Sequence, residues 1–198
     1  MIHPIYLLGT ASLRKPTIQV DKSTPEFATL LSDMVETMYD ARGIGLAAPQ
    51  IGREERVFVV DVSPMEEEFI ESGTPMPEQP MFFINPHILE ETGDDEEFEE
   101  GCLSIPDIQE IVVRPNTVTI QYQDRDFVQK TETFDGILAR VIQHEYDHVE
   151  AVLFIDHLTA FKRRLLKRRL NEIQAGNTEA EYAVYTDERG IIYPQETE

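Results

Sequence analysis

Phe27, Leu30, Leu31, Met34, Val35 and Met38 recur three and four positions apart, so they fall on one apolar stripe of a helix. Ser23-Thr24-Pro25-Glu26 stands at its start, with a hydroxyl cap, a proline in the first turn and an early acid. The pattern predicts a helix that ends near Gly43. Gly43-Ile44-Gly45-Leu46-Ala47-Ala48-Pro49-Gln50 follows, too rich in glycine for a helix and too small-sided for an ordinary strand. It reads as an extended segment that another group approaches closely. Residues 57–62 read as a strand. Residues 63–80, with four prolines and Glu66-Glu67-Glu68, read as a surface excursion within one domain.

Residues 81–84 and 117–122 are strand-like, and Gln123-Asp124-Arg125-Asp126 turns the second into a further strand at 127–134. A second helix begins near Gly136, with Ile137, Leu138, Val141, Ile142 and Val149 on its apolar side. A third covers about 159–174. Beyond it, 182–185 and 191–193 flank a polar turn and form a candidate hairpin. Strands first, helices interspersed and no repeating βαβ rhythm point to an α+β domain. The expected organisation is one catalytic domain over 1–175 and a C-terminal extension over 176–198.

Composition narrows the function. A chain of 198 residues that is 41% hydrophobic supplies the core of one domain. No apolar run approaches the roughly 20 residues needed to cross a bilayer, and no secretory signal opens the chain. A single cysteine, Cys102, forms no internal disulfide and agrees with a reducing compartment. The net charge of -21 argues against general or sequence-specific nucleic-acid binding. That charge is uneven: residues 90–100 hold eight acids, whereas 162–169 hold six bases. The acidic run reads as a solvated face or a contributor to the site, and the basic run as a solvated helix face or a docking surface for ribosomal RNA.

The chemistry gathers on the second helix. His144-Glu145-Tyr146-Asp147-His148 is a His-Glu-x-x-His motif, and residues four apart share a helix face, so both imidazoles can reach one cation with Glu145 beside it. Two histidines leave the site incomplete, because catalytic zinc-type centres take three protein ligands. The residues themselves leave the third open. His157 lies downstream without a recognisable pattern, Glu150 adjoins the helix end, and Cys102 sits in Glu100-Gly101-Cys102-Leu103-Ser104 behind a glycine. An endopeptidase using His157 or Glu150, and a non-catalytic protein with a structural metal, are the rival readings.

Taken together and in order, Gly43 to Gln50, Glu100 to Ser104, and Gln143-His144-Glu145 with Asp147-His148 resemble the three signature segments of peptide deformylases. The resemblance runs from Leu7-Leu8-Gly9 and Leu13-Arg14 to about Leu170. It implies antiparallel and mixed β-sheets around a central helix carrying the His-Glu-x-x-His motif, with a C-terminal helix after it. It implies a hydrolase that removes the formyl group from the N-terminal formyl-methionine of new polypeptides. Its one divalent metal would be held by Cys102, His144 and His148, ferrous iron physiologically, with zinc, nickel or cobalt also fitting. Metal-bound water would attack the formyl carbon with Glu145 as general base, while Gln50 and the Leu103 N–H stabilise the oxyanion.

The resemblance also implies a substrate site. Gly43, Ile44 and Gly45 would pair with an extended peptide, and Ile44, Phe98, Ile137, Val141 and His144 would take the methionine side chain, with Glu100 beside them. Arg114 would brace Glu100 or Asp147. Some relatives meet the ribosome through the C-terminal helix, here the basic one. A pattern that begins almost at Met1 leaves no room for an organelle presequence, so a bacterial cytoplasm is expected. Two positions depart from the family pattern: Val149 and Ala151 stand where leucine and glycine are common.

Overall fold

The computed structural model describes residues 1–194; the last four residues of the expected extension, 195–198, lie outside the described residues. Helix α1, Pro25–Asp40, opens as its sequence predicts: the Thr24 side chain accepts from the Phe27 N–H at 3.1 Å, and Pro25 occupies the first turn. Arg42, not Gly43, takes the left-handed conformation just past the helix, with φ 55°. The Gly43 N–H then closes on the Met38 carbonyl at 2.9 Å.

Strands β1 (Ile5–Tyr6), β2 (Gly45–Ala47) and β3 (Val57–Val60) precede a short helix α2 (Glu66–Ser72). The long strands β4 (Met81–Cys102) and β5 (Ile105–Gln123), then β6 (Gln129–Asp135), complete an antiparallel five-stranded sheet in the order β2-β3-β4-β5-β6. Helix α3, Gly136–Val149, follows, then α4, Ala160–Gln174, then β7 (Val184–Thr186) and β8 (Gly190–Ile192). The last two strands form the expected hairpin, and β7 pairs parallel to β1 in a small mixed sheet. The protein is α+β. No helix among the described residues is long and apolar enough to cross a membrane.

All of β3 is buried because it has a helix on each face. Alternation along the strand sends Val57 and Val59 to the α1 side, with Leu31, Met34 and Met38. Phe58 and Val60 go to the α3 side, with Phe83, Ile120, Ala139 and Ile142. This double cover fixes α3 against the sheet. A third core joins Leu7, Leu13, Ile105, Phe154, Ile173 and Val184, so both ends of the chain pack against the start of β5.

Four expectations change. The strand expected at 81–84 runs to Cys102, and that at 117–122 begins at Ile105. Residues 89–99 are exposed, so no apolar alternation marks them as strand; backbone pairing with β5 does the work, Glu90 opposite Thr119 through Glu100 opposite Glu110. The acidic run is therefore a solvated strand whose last member, Glu100, turns inward. The strand expected at 127–134 starts two residues later, because Phe127 adopts φ 60° in the turn and packs edge-on against Phe27. The excursion at 63–80 is not wholly superficial: α2 carries Phe69 into the core, and Met76 packs there too.

Candidate metal centre

The two-residue turn between β4 and β5 places Cys102 at the end of one strand, directly paired with Ile105 on the next. Helix α3 brings His144 and His148 under it on one face. Cys102 Sγ lies 3.3 Å from His148 Nε2, and one ligand atom from each of the three residues falls within 4.8 Å of the others. With metal–sulfur and metal–nitrogen bonds of about 2.3 and 2.0–2.1 Å, a tetrahedral site has a sulfur–nitrogen edge of roughly 3.5 Å. The donor set thus fits a divalent cation in spacing as well as in type. A cysteine and two imidazoles suit zinc and ferrous iron alike.

A buried ionic network sets the orientation of the candidate ligands. Glu100 Oε2 lies 3.0 Å from His144 Nδ1, which leaves the other ring nitrogen for the centre. Arg114 donates from Nε and Nη2 to the two Glu100 oxygens at 2.7 and 3.0 Å, and from Nη1 to Asp147 Oδ2 at 2.8 Å. Arg114 therefore braces both carboxylates, one on each ligand-bearing segment. Arg140, one helical turn before His144, adds a 3.0 Å bond to Glu100 Oε1. Burial alone would raise the Glu100 carboxyl, but the His144 and Arg114 hydrogen bonds hold it far below the usual carboxylate range. Burial likewise pushes the Cys102 thiol up, and the His148 charge with hydrogen bonds from both histidines outweighs it, bringing the thiol down to about 5. A thiolate is the form that ligates metal. His148 Nδ1 is buried without a hydrogen-bond partner among the described residues.

Glu145 lies beside the candidate ligands, 4% exposed, and its Oε2 is buried without a hydrogen-bond partner among the described residues. Burial is the main reason its carboxyl is raised to about 7. Gly45 leaves it room: a Cβ there would sit 2.4 Å from Glu145 Oε1. Gly43 does the same for Leu103, whose Cδ1 would lie 2.8 Å from an added Cβ. The Gln50 side chain is oriented by the Ala47 N–H, which donates to its Oε1 at 2.8 Å. That contact turns Nε2 toward Cys102 Sγ, at 3.6 Å, and Ser104 Oγ, at 3.4 Å.

These groups line a cavity of about 670 Å³. Its wall includes Gly43, Ile44, Gly45, Gln50, Phe98, Glu100, Cys102, Leu103, Ile137, Val141, His144 and Glu145. Of the residues expected from the sequence to bind metal or substrate or to act in catalysis, His148 alone is not part of that wall; it is 1% exposed. His157 and Glu150 stay outside: His157 Nε2 bonds Asp147 Oδ2 at 2.7 Å, and Glu150 pairs with Arg56. Sequence reasoning missed Arg140. Its signal was a basic residue four positions before His144, on the same helix face as a ligand.

The sequence model of the family described as polypeptide deformylase matches residues 2–164. A peptide deformylase of Salinibacter ruber is 50% identical over 186 residues, covering 94% of this chain and 95% of the relative. One from Flavobacterium johnsoniae is 46% identical over 188 residues, covering 92% and 94%. The crystal structure of a peptide deformylase from Legionella pneumophila superposes with a TM-score of 0.77 at 38% identity, covering 88% of this chain and 96% of that one. A Synechococcus elongatus peptide deformylase, solved with actinonin, superposes with a TM-score of 0.73 at 37% identity, covering 88% and 86%. A family match over most of the chain, with half-identical relatives at nearly full length, shows that this chain belongs to the polypeptide deformylase family.

Proposed function

We propose that the protein removes the formyl group from N-terminal formyl-methionine of new polypeptides, using a divalent metal held by Cys102, His144 and His148. One observation carries this reading: three ligand atoms of those residues lie within 4.8 Å of one another, in a site that also holds Glu145 and Gln50. A bound cation supplies a Lewis acid and lowers the pKa of water, so that hydroxide is available near neutral pH. Glu145 accepts the proton of the attacking water and delivers it to the amine that leaves as the formyl C–N bond breaks. The Gln50 Nε2 and the Leu103 N–H donate to the oxygen on which negative charge develops. Glu100, held by Arg114 and Arg140, keeps His144 in one orientation.

The substrate pairs as an added strand along Gly43, Ile44 and Gly45, and its methionine side chain enters between Ile44, Phe98, Ile137 and Val141. Ferrous iron is the physiological metal in this reading, and a bacterial cytoplasm the setting. The catalytic unit spans 1–175, with 176–198 as an extension. Helix α4 docks on the ribosome. On it, Lys162 pairs with Glu110 and Arg169 with Asp107, whereas Arg163, Arg164 and Lys167 have no ion pair among the described residues. Co-sedimentation with ribosomes that ignores salt, or does not occur, would sink the docking idea.

The deciding experiment is deformylation of formyl-Met-Ala-Ser by protein purified without oxygen, beside Glu145→Ala. The parent is expected to turn over and the variant to lose about 10²–10⁴-fold. A metal-filled parent without turnover would return the site to a different hydrolase.

A further inference from the structure

The segment leading into the C-terminal hairpin reaches the turn beside Cys102 through a hydrogen bond from Tyr182. Cys102 and Ile105 are direct partners in the β4–β5 ladder, so Leu103 and Ser104 are the two turn residues and their carbonyls take no part in it. Each carbonyl is held from elsewhere in the chain. The Leu8 N–H donates to the Ser104 carbonyl at 2.9 Å. The Tyr182 hydroxyl donates to the Leu103 carbonyl at 2.8 Å.

Tyr182 is itself held in place. It precedes the point where the Ile5 N–H donates to the Ala183 carbonyl at 2.8 Å and β7 begins to pair with β1. Upstream, Thr178 bonds Asp107 at 3.2 Å, and the Arg169 guanidinium bonds the Asn177 carbonyl at 3.1 Å. The ring packs where two of the three cores meet. A neutral phenol on a segment anchored at both sides is a donor of fixed position.

We propose that Tyr182 is a positioning residue for deformylation: its hydroxyl fixes the Leu103–Ser104 turn so that the Leu103 N–H is aimed into the cavity. This makes the segment after α4 part of the working site. The inference rests on the proposed role of the Leu103 N–H as oxyanion donor. An aimed donor loses much of its effect when displaced, since about 1 Å of misplacement costs up to about 10²-fold.

The test compares Tyr182→Phe, which removes one oxygen, with Tyr185→Phe. Tyr185 stacks on Tyr6 at 4.2 Å in the same tail, away from the turn. Tyr182→Phe is expected to lower kcat about tenfold with KM within twofold, metal content equal to the parent, and faster amide exchange at Leu103 and Ser104 in the metal-free protein. Tyr185→Phe is expected to keep the parent's kcat. An active parent with Tyr182→Phe unchanged in kcat overturns the positioning role alone. So does a loss equal in both variants, or one that follows reduced metal content. A parent without deformylase activity overturns the functional reading, and this inference with it.

Discussion

Replacing Arg114 by methionine should separate two consequences of the ionic network. Arg114 is 5% exposed and holds two carboxylates on different segments, Glu100 on β4 and Asp147 on α3. Methionine keeps the stem and deletes the fork, leaving both acids without their shared cation. Removing one partner of a buried pair costs about 3–5 kcal/mol, because an uncompensated charge remains. The lower end applies here. Glu100 keeps Arg140 and His144, each at 3.0 Å, and Asp147 keeps His157 at 2.7 Å.

We therefore expect Arg114→Met to lose about 3 kcal/mol in urea unfolding of the metal-free protein, as a lower midpoint at constant slope. The loosened Glu100 should also hold His144 less well, weakening metal binding about 10–100-fold in chelator competition under anaerobic conditions. Arg114→Lys should fall between, since an ammonium keeps the charge and loses the two-pronged grip on Glu100. A stability loss under about 1 kcal/mol together with parental metal affinity would refute the reasoning, by showing that Arg140 and His157 suffice.

Four further outcomes follow from single contacts. Gly45→Ala should place a methyl 2.4 Å from Glu145 Oε1 and cut kcat strongly while metal content, read by elemental analysis, stays at the parent's level. Gln50→Ala should lower kcat about 10²–10³-fold, the usual cost of one oxyanion donor, with metal retained; a change confined to KM would remove Gln50 from that role. Ala151→Gly should raise stability by about 1 kcal/mol, because Ala151 adopts φ 59° just past α3, where an L side chain is strained; a lower unfolding midpoint would contradict this. Asp61 is buried, which by itself raises its carboxyl, but hydrogen bonds from Ser63 and Tyr39 bring it below the usual range. Its contribution is thus present above about pH 4, the unfolded value, and lost as pH falls through the lower folded value. Tyr39→Phe should cost about 1 kcal/mol at pH 7, discounted because Tyr39 is 48% exposed, and the gap to the parent should narrow below about pH 4.

Much of the site was legible in the chain because its parts are local. His144 and His148 share a face by helical spacing alone, and Glu145 is their neighbour. The small-sided segment from Gly43 was recognisable as a place of close approach, and Gly45 indeed lies against Glu145. Helix α1 announced itself through its stripe and its Thr24 cap. The α+β class, too, was readable from the order of elements.

Other features depend on contacts that no local pattern encodes. Strands β4 and β5 pair over exposed acidic residues, so their length comes from the backbone ladder and carries no apolar alternation. Glu100 belongs by sequence to a solvated run, yet the fold buries it between Arg114, Arg140 and His144. The residues by themselves left the third candidate ligand open among Cys102, His157 and Glu150. The β4–β5 turn brings Cys102 to 3.3 Å from His148, while ion pairs hold the other two away. Tyr182 reaches Leu103 from 79 residues further along the chain, because β7 pairs with β1 and both chain ends pack on the start of β5. Helical spacing and caps act over a few residues and can be read directly. Strand register, buried charge and long-range hydrogen bonds exist only once distant segments are packed together, and there the tertiary structure decided.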